Sequence, residues 1–331
     1  MTEIFQLSKQ ADCYIMGQDE KERAERIFHM KNKLGTNGTL LIILAGIFWG
    51  SMGIFVRGLT SLTDFTSIQI VCVRLVVAAV FFSVILWKKD RRGFRISRKD
   101  IPLFLGLGLC SILFFSTCYF TAIRMMTLSI AAILLYTSPI WVMLMSMVVF
   151  HEKMNRNKLL ALIISFLGCI FVSGIGSGDS IVTPLGILIG LCSGLGYGLY
   201  SILGTIALRK YSSYTVTTYT FVIAAIGSLF VCSFPDLWHK ITVCESKPYL
   251  CFFIILTGLV TAVIPFLLYT LGLEHVEASR AAILATIEPM VATLIGVLVF
   301  HEYLTFLSTL GILCILAAIV MLNMPHNPNK P

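Results

Sequence analysis

Residues Ser129–Glu152 read SIAAILLYTSPIWVMLMSMVVFHE, and residues Ser279–Glu302 read SRAAILATIEPMVATLIGVLVFHE. The two stretches lie 150 residues apart, and 11 of their 24 positions are identical, including an internal proline and the closing Val-Phe-His-Glu. Two unrelated apolar helices can share leucines and valines through composition alone. Composition does not readily explain a proline and a terminal Val-Phe-His-Glu that match at the same offset. The repeat therefore predicts that the chain consists of two related halves.

Both stretches belong to a series of apolar windows, each long enough to cross a bilayer, which takes about 20 apolar residues. Of the 331 residues, 57% are hydrophobic and 13% are charged, which excludes both a soluble domain with one buried core and a disordered chain. The windows are 38–58, 66–87, 101–122, 127–150, 157–175, 184–208, 214–234, 249–271, 279–300 and 305–323. The short links between them leave little room for a soluble catalytic domain.

The repeat divides these windows into two halves of five, at 38–175 and 184–323, with a charged tail at 1–37 and a short tail at 324–331. Because five is an odd number, the second half must insert with the opposite orientation to the first. Inverted repeats of this kind occur in many secondary transporters, with the substrate site at the repeat interface near the midplane. We predict an all-α membrane protein with ten transmembrane helices in two inverted five-helix repeats.

The net charge of +8 could indicate a nucleic acid, anionic lipid or the orientation bias of a membrane protein. If the windows alternate sides, 20 of the 25 Lys and Arg residues share the side of the N-terminus, four lie opposite, and Arg74 lies within a window. An excess of basic residues marks the cytoplasmic side, so both termini are expected in the cytoplasm. The charges then indicate orientation in the cell membrane, with the lipid bilayer and no nucleic acid as partner; the oligomeric state stays open.

Three features resemble one family. Trp49-Gly50-Ser51 in the first window, Arg74 in the second, and the pattern Y-x-L…A-S-x-A-A-I-L…E-P…F-x-E across Tyr269–Glu302 are similar to the EamA-type transporters of the drug/metabolite transporter superfamily. The resemblance covers roughly 38–323. It implies a ten-helix exporter of small metabolites, often amino acids, with a central cavity between the halves. The first half departs from the pattern at Ser138, where the second half has Glu288.

We therefore predict a secondary transporter, not an enzyme, that exports amino acids or similar small molecules by alternating access without a cofactor or metal. An exchanger of sugar phosphates or nucleotide sugars would favour several basic residues within the windows, and only Arg74 is available. A polytopic enzyme would need converging nucleophiles, bases or metal ligands, and a receptor would not explain the repeat. Both alternatives are less consistent with the sequence.

Two charged residues within the windows are the main functional candidates. Glu288 lies about ten residues into its window, roughly 15 Å deep, near the bilayer centre. A carboxylate facing lipid there would be costly, so Glu288 should face the interior and contact a substrate amine, carry a proton or bond a neighbouring helix. Arg74 could bind a substrate carboxylate, pair with Glu288 or anchor its helix by extending outward.

Smaller signals complete the predicted pathway. Pro139 and Pro289 should kink their helices and act as hinges near the cavity. Glycines at four-residue spacing should allow close helix packing, and aromatic residues in the repeat-matched windows could line the cavity. The packing glycines are Gly46, Gly50, Gly186, Gly190, Gly194 and Gly198, and the further pathway residues are Trp49, Tyr119, Tyr136, Ser138, Tyr197 and Tyr269.

The N-terminal tail contains a second candidate start. Met30 is followed by Lys-Asn-Lys, which would form a short basic lead into the first window, and no apolar run typical of a signal peptide precedes Leu40. A chain that begins at Met30 is expected to insert and to transport at the rate of the full chain, measured per molecule in the membrane. Loss of transport on deletion of residues 1–29 would contradict this interpretation.

Overall fold

The protein is described by a computed structural model that covers residues 37–173 and 183–323. Almost all of the predicted N-terminal tail, including Met30, lies outside the described residues, as does the C-terminal tail at 324–331. In the described ranges, all regular secondary structure is helical, which confirms the predicted fold class.

Eleven helices form the described chain, of which ten correspond to the predicted windows. Nine are at least 18 residues long and apolar enough to cross a membrane, and α5 follows with 17 residues. They are α1 (Asn37–Leu62), α2 (Ser67–Lys89), α3 (Arg98–Met125), α4 (Ser129–Val149), α5 (Arg156–Val172), α6 (Pro184–Leu208), α7 (Ser213–Val231), α9 (Lys247–Leu273), α10 (Ala278–Phe300) and α11 (Phe306–Asn323). The additional helix, α8 (Phe234–Val243), lies between α7 and α9.

The short helix α8 is tied to the start of α2 by polar contacts. Asp236 accepts a hydrogen bond from Gln69 Nε2 at 2.6 Å and lies 3.0 Å from Lys240 Nζ, which also donates to the Asp64 carbonyl at 2.8 Å. The Lys240 ammonium and the Gln69 amide hold the pKa of the Asp236 carboxyl below its usual value. The exposed rings of Phe234 and Trp238 stack against each other beside these contacts.

The two helices that carry the quoted repeat are both broken in the middle. The first helical segment of α4 ends at Leu135 and the second begins at Ser138, and the segments of α10 end at Leu284 and begin at Ile287. The proline of each repeat lies in the first turn of its second segment, where the missing N–H costs little. Pro139 and Pro289 thus lie at helix breaks, and their action as hinges stays a prediction.

The shared Val-Phe-His-Glu forms the same turn at both helix ends. His151 has φ 55° and His301 has φ 56°, in the left-handed region. The next residue bonds back across six positions, from Glu152 N to the Ser146 carbonyl at 3.3 Å and from Glu302 N to the Gly296 carbonyl at 3.0 Å. A left-handed residue after the last helical turn is a common helix end, and here the following N–H reaches one residue further back than in a Schellman motif. The motif therefore places both glutamates in the same way relative to their helices.

The contacts between the two halves follow the symmetry of the repeat. The repeat matches α1–α5 with α6, α7, α9, α10 and α11. The helix pairs α2–α7 and α5–α11 join equivalent helices, and the pairs α3–α6 and α1–α9 exchange under the repeat. Even a local irregularity recurs, because π-helical turns at Gly106–Leu113 in α3 and Leu259–Val263 in α9 end at equivalent positions.

The glycine stripes of α1 and α6 lie against the broken helices. A Cβ atom on Gly50 would lie 2.7 Å from the Glu288 carbonyl oxygen, and one on Gly194 would lie 2.7 Å from the Leu134 carbonyl oxygen. Gly46 likewise faces α10, and Gly190 and Gly198 face α4 in the same way. Gly186 lies against Met125 and Met126 at the end of α3. The small residues allow backbone to approach backbone where α4 and α10 are interrupted.

A pair of alanine substitutions tests this packing. Gly50→Ala should cost about 1–3 kcal/mol of folding free energy, because its Cβ would overlap the Glu288 carbonyl oxygen and the Val291 side chain. The melting temperature of the detergent-solubilised protein should fall accordingly. Gly53→Ala, one turn along the same helix, has nothing within 4 Å of its Cβ and should be neutral or slightly stabilising. Equal melting temperatures for the two variants, measured by size exclusion after heating, would contradict the close packing.

Candidate functional site

A cavity of about 390 Å³ extends from one face of the protein to its middle. Its outer residues lie near the ends of α1–α5 and its inner residues at the break of α10. We name this side the cavity face. The opposite side, which carries the basic link 90–97 and the link 150–155, is named the basic face. The lining residues are Trp49, Gly50, Met52, Gly53, Val56, Ser67, Ile70, Arg74, Tyr119, Phe120, Ile123, Ser129, Ala132, Tyr136, Val172, Ser173, Glu288, Pro289, Ala292 and Thr293.

Glu288 and Arg74 are the charged residues among these lining residues. Glu288 is held at the break of α10, and its Oε2 accepts a hydrogen bond from the Tyr197 hydroxyl at 3.2 Å. Arg74 donates through Nη2 to the Thr261 carbonyl at 3.0 Å, within the π-helical turn of α9. Each charge is therefore positioned by a contact with the protein interior.

One of the three alternatives for Arg74, an ion pair with Glu288, is not formed in this structure. The ion pairs within 4.0 Å in the described residues do not include these two side chains. Arg74 is also directed inward to α9 instead of extending to the membrane surface, and its Nε is buried without a hydrogen-bond partner. Both charges thus face the same cavity with hydrogen-bonding capacity unused.

An aromatic cluster forms the floor of the cavity. Trp49 is buried, and its ring centroid lies 5.0 Å from that of Phe266, 5.3 Å from that of Tyr269 and 6.1 Å from that of Tyr197. Tyr269 in turn shares a hydrogen bond of 2.8 Å with Ser201. These contacts separate the cavity from the basic face.

Below the floor lies a pocket of only about 20 Å³, lined partly by repeat equivalents of cavity residues. Tyr269 and Ala282 border this pocket, and they correspond to Tyr119 and Ala132 of the cavity. The small pocket is therefore the closed counterpart of the open cavity, on the other side of Trp49.

The predicted site residues are divided between the open cavity and the closed pocket. Glu288, Arg74, Trp49, Tyr119, Tyr136 and Pro289 line the cavity. Tyr197, Tyr269 and Ser138 line the closed pocket, and Tyr197 reaches the cavity only through its bond to Glu288. Pro139 lies at the equivalent break of α4 and lines neither space.

Several small polar residues of the cavity were missed by the sequence reasoning. Ser129 lies inside the quoted repeat and matches Ser279, so the repeat held a signal for it. Thr293 lies four residues after Pro289, on the same side of α10 as the proline. Ser67 and Ser173 lie at window ends, where serine is common as a helix cap, and nothing in the sequence pattern distinguishes them.

Comparison with known proteins defines the class. The family model of the EamA-like transporter family matches residues 36–174 and 184–324, once for each half. The chain belongs to this family and is a multi-pass membrane transporter.

Individual relatives agree with this assignment. An uncharacterized transporter of Archaeoglobus fulgidus is 29% identical over 289 residues, which cover 86% of this chain and 95% of that protein. The uncharacterized transporter YetK of Bacillus subtilis is 21% identical and covers 74% of this chain and 75% of its own. A solved crystal structure has a TM-score of 0.74 over 87% of this chain and 96% of its own; at 14% identity it shows the fold alone.

The difference between open cavity and closed pocket can be measured with two repeat-equivalent cysteines. In a variant without the ten native cysteines, Ala132→Cys should react with a membrane-impermeant maleimide added from the cavity face. Ala282→Cys should react at least tenfold more slowly from either face, because Ala282 is only 6% exposed. Equal reaction rates in vesicles of known sidedness would contradict the described geometry.

Proposed function

We propose that the protein is a secondary transporter that exports neutral amino acids by alternating access through this cavity. The observation that carries the proposal is the presence of one carboxylate, Glu288, and one guanidinium, Arg74, in an otherwise uncharged cavity. Its volume of about 390 Å³ lies within the range of small-molecule sites.

The two charges match the two charged groups of an amino acid. Glu288 can accept hydrogen bonds from an ammonium group, and Arg74 can donate to a carboxylate in a planar fork. Binding a zwitterion would leave neither protein charge unpaired, which matters because an uncompensated charge at this depth is expensive. A phosphorylated sugar would bring about two negative charges to a single lining cation, so that exchanger type is less consistent with the cavity.

The walls favour a neutral side chain on the substrate. Between the charges and the cavity mouth lie apolar and aromatic residues, among them Phe120, Ile123, Val56 and Ile70. A substrate side chain that carried a further charge would lose its hydration against these walls without gaining a partner. An apolar side chain would instead gain from leaving water.

Alternating access is supported by the two spaces on either side of Trp49. The repeat makes the open cavity and the closed pocket equivalent, so an exchange of conformation between the halves would close one and open the other. The excess of basic residues supports a cytoplasmic basic face. The described conformation would then be open to the outside, the side to which an exporter releases its substrate.

Transport in proteoliposomes tests the proposal. We expect uptake of neutral amino acids from a metabolite panel, with rates measured with and without a pH gradient. Two analogues of a transported amino acid should not compete with it for uptake. They are its amide, which lacks the carboxylate, and its 2-hydroxy acid, which lacks the amine. No transport of any amino acid or small metabolite, or preferential uptake of sugar phosphates, would refute the assignment.

Substitution of the cavity carboxylate gives a sharper result. Glu288→Gln keeps the shape of the side chain and removes the charge, so we expect transport to fall at least tenfold, or to lose its dependence on the pH gradient, at unchanged abundance in the membrane. One lost charged hydrogen bond, about 1.5–3 kcal/mol, corresponds to this range.

The matched control is Glu245→Gln, at an exposed position in the link between α8 and α9, which should transport normally. Wild-type flux and wild-type pH dependence in Glu288→Gln would show that the carboxylate has only a structural role.

A further inference from the structure

The two left-handed helix ends at His151 and His301 carry the following glutamates to opposite faces of the protein. Glu152 ends α4 at the basic face, and Glu302 ends α10 at the cavity face. Because the backbone turns are equivalent, the surroundings of the two carboxylates can be compared contact by contact.

At the basic face, Glu152 joins three helices in a closed polar network. Its carboxylate accepts a hydrogen bond from the Ser279 hydroxyl at the start of α10 and lies 3.7 Å from Lys158 Nζ of α5. Lys158 also pairs with Glu277 and lies 3.4 Å from the Ser279 hydroxyl. The side chains of Glu152 and Lys158 are only 11% and 12% exposed, whereas Glu277 is 57% exposed, so the network is shielded from water at Glu152 and open to water at Glu277.

At the cavity face, Glu302 is free of the equivalent contacts. Its side chain is 52% exposed and pairs with Arg57 at 2.7 Å, while the Arg57 guanidinium lies 3.8 Å from the centre of the Phe300 ring. Ser129, the repeat equivalent of Ser279, lines the open cavity. Among the described hydrogen bonds, none joins Ser129 to Glu302.

We propose that Glu302 and Ser129 form the gate of the cavity face: when the cavity closes, Glu302 leaves Arg57 and accepts a hydrogen bond from Ser129, as Glu152 does from Ser279 at the basic face. This inference rests on the alternating access of the proposed function. It assigns Glu302 two partners, one in each conformation, and makes Ser129 and Ser279 positioning residues of opposite gates.

The two gates differ in strength for a reason that the sequence shows. The repeat equivalent of Lys158 is Ser308, and that of Glu277 is Thr127. The gate of the cavity face therefore lacks the ion pair that reinforces the gate of the basic face. Glu152 and Lys158 are largely shielded from water, so separating them removes the nearby counter-charge of a carboxylate that has little access to solvent. The resting protein should thus favour the conformation that is closed at the basic face and open at the cavity face.

The gate is tested by the maleimide reaction rate of Ala132→Cys, measured without substrate in the variant that lacks the native cysteines. Lys158→Ser, which copies Ser308 into the basic-face gate, should lower this rate at least threefold because the cavity face closes more often. Adding Ser129→Ala should restore the rate, since it removes the donor of the opposing gate. Adding Ser67→Ala, at another cavity-lining serine, should not.

A second variant keeps the test decisive if Lys158→Ser is poorly folded. Thr127→Glu combined with Ser308→Lys places the missing pair at the cavity face and should also lower the rate at least threefold, again with restoration by Ser129→Ala. If the rate falls in either background and Ser129→Ala leaves it low, Ser129 is not part of the gate and the inference is overturned. Unchanged rates in both backgrounds overturn it as well. Substrate transport by the wild-type protein is measured separately, so failure of the proposed function gives a different result.

Discussion

The fold depends on the contact between the glycine faces of α1 and α6 and the interrupted middles of α10 and α4. A helix break inside a membrane exposes backbone carbonyls, which cannot be left facing lipid and are tolerated only where protein or water covers them. Gly50 and Gly194 approach these breaks closely enough to cover them, which a larger residue would prevent. The break of α10 in turn holds Glu288 at the cavity. The charge at the centre of the site is thus a consequence of how the backbone is packed around it.

Each half contributes one charge to the site, and the repeat does not copy either. The equivalent of Glu288 is Ser138, and α7, the equivalent of the helix that carries Arg74, contains no charged residue. On the proposed alternating access, a symmetric pair of charges would change position when the halves exchange conformations. Single charges near the repeat interface can instead remain at the middle of the protein while the walls on either side of them open and close.

The sequence was sufficient to predict the ten windows, the repeat and the two charged residues that line the cavity, because each of these signals persists in every conformation. It was not sufficient to separate Tyr119 from Tyr269. These tyrosines occupy matched positions of the repeat, yet one lines the cavity and the other is buried beneath Trp49. On the proposed alternating access, which of the two is exposed depends on the conformational state, and no pattern of residue types contains that information. For the same reason Ser138, matched to Glu288, lies in the closed pocket.

The unequal volumes on the two sides of Trp49, about 390 and 20 Å³, have a consequence for the solvent. Since a water molecule occupies about 30 Å³ of the liquid, closing the cavity expels on the order of ten waters through its mouth, and a similar number would enter on the other side. On the proposed alternating access, the same waters are exchanged in reverse when the cavity reopens, so it is the equilibrium between the two conformations that depends on water. A solute too large to enter the cavity, added at the cavity face only, would shift this equilibrium by osmotic stress alone, without contact with Glu288 or Arg74.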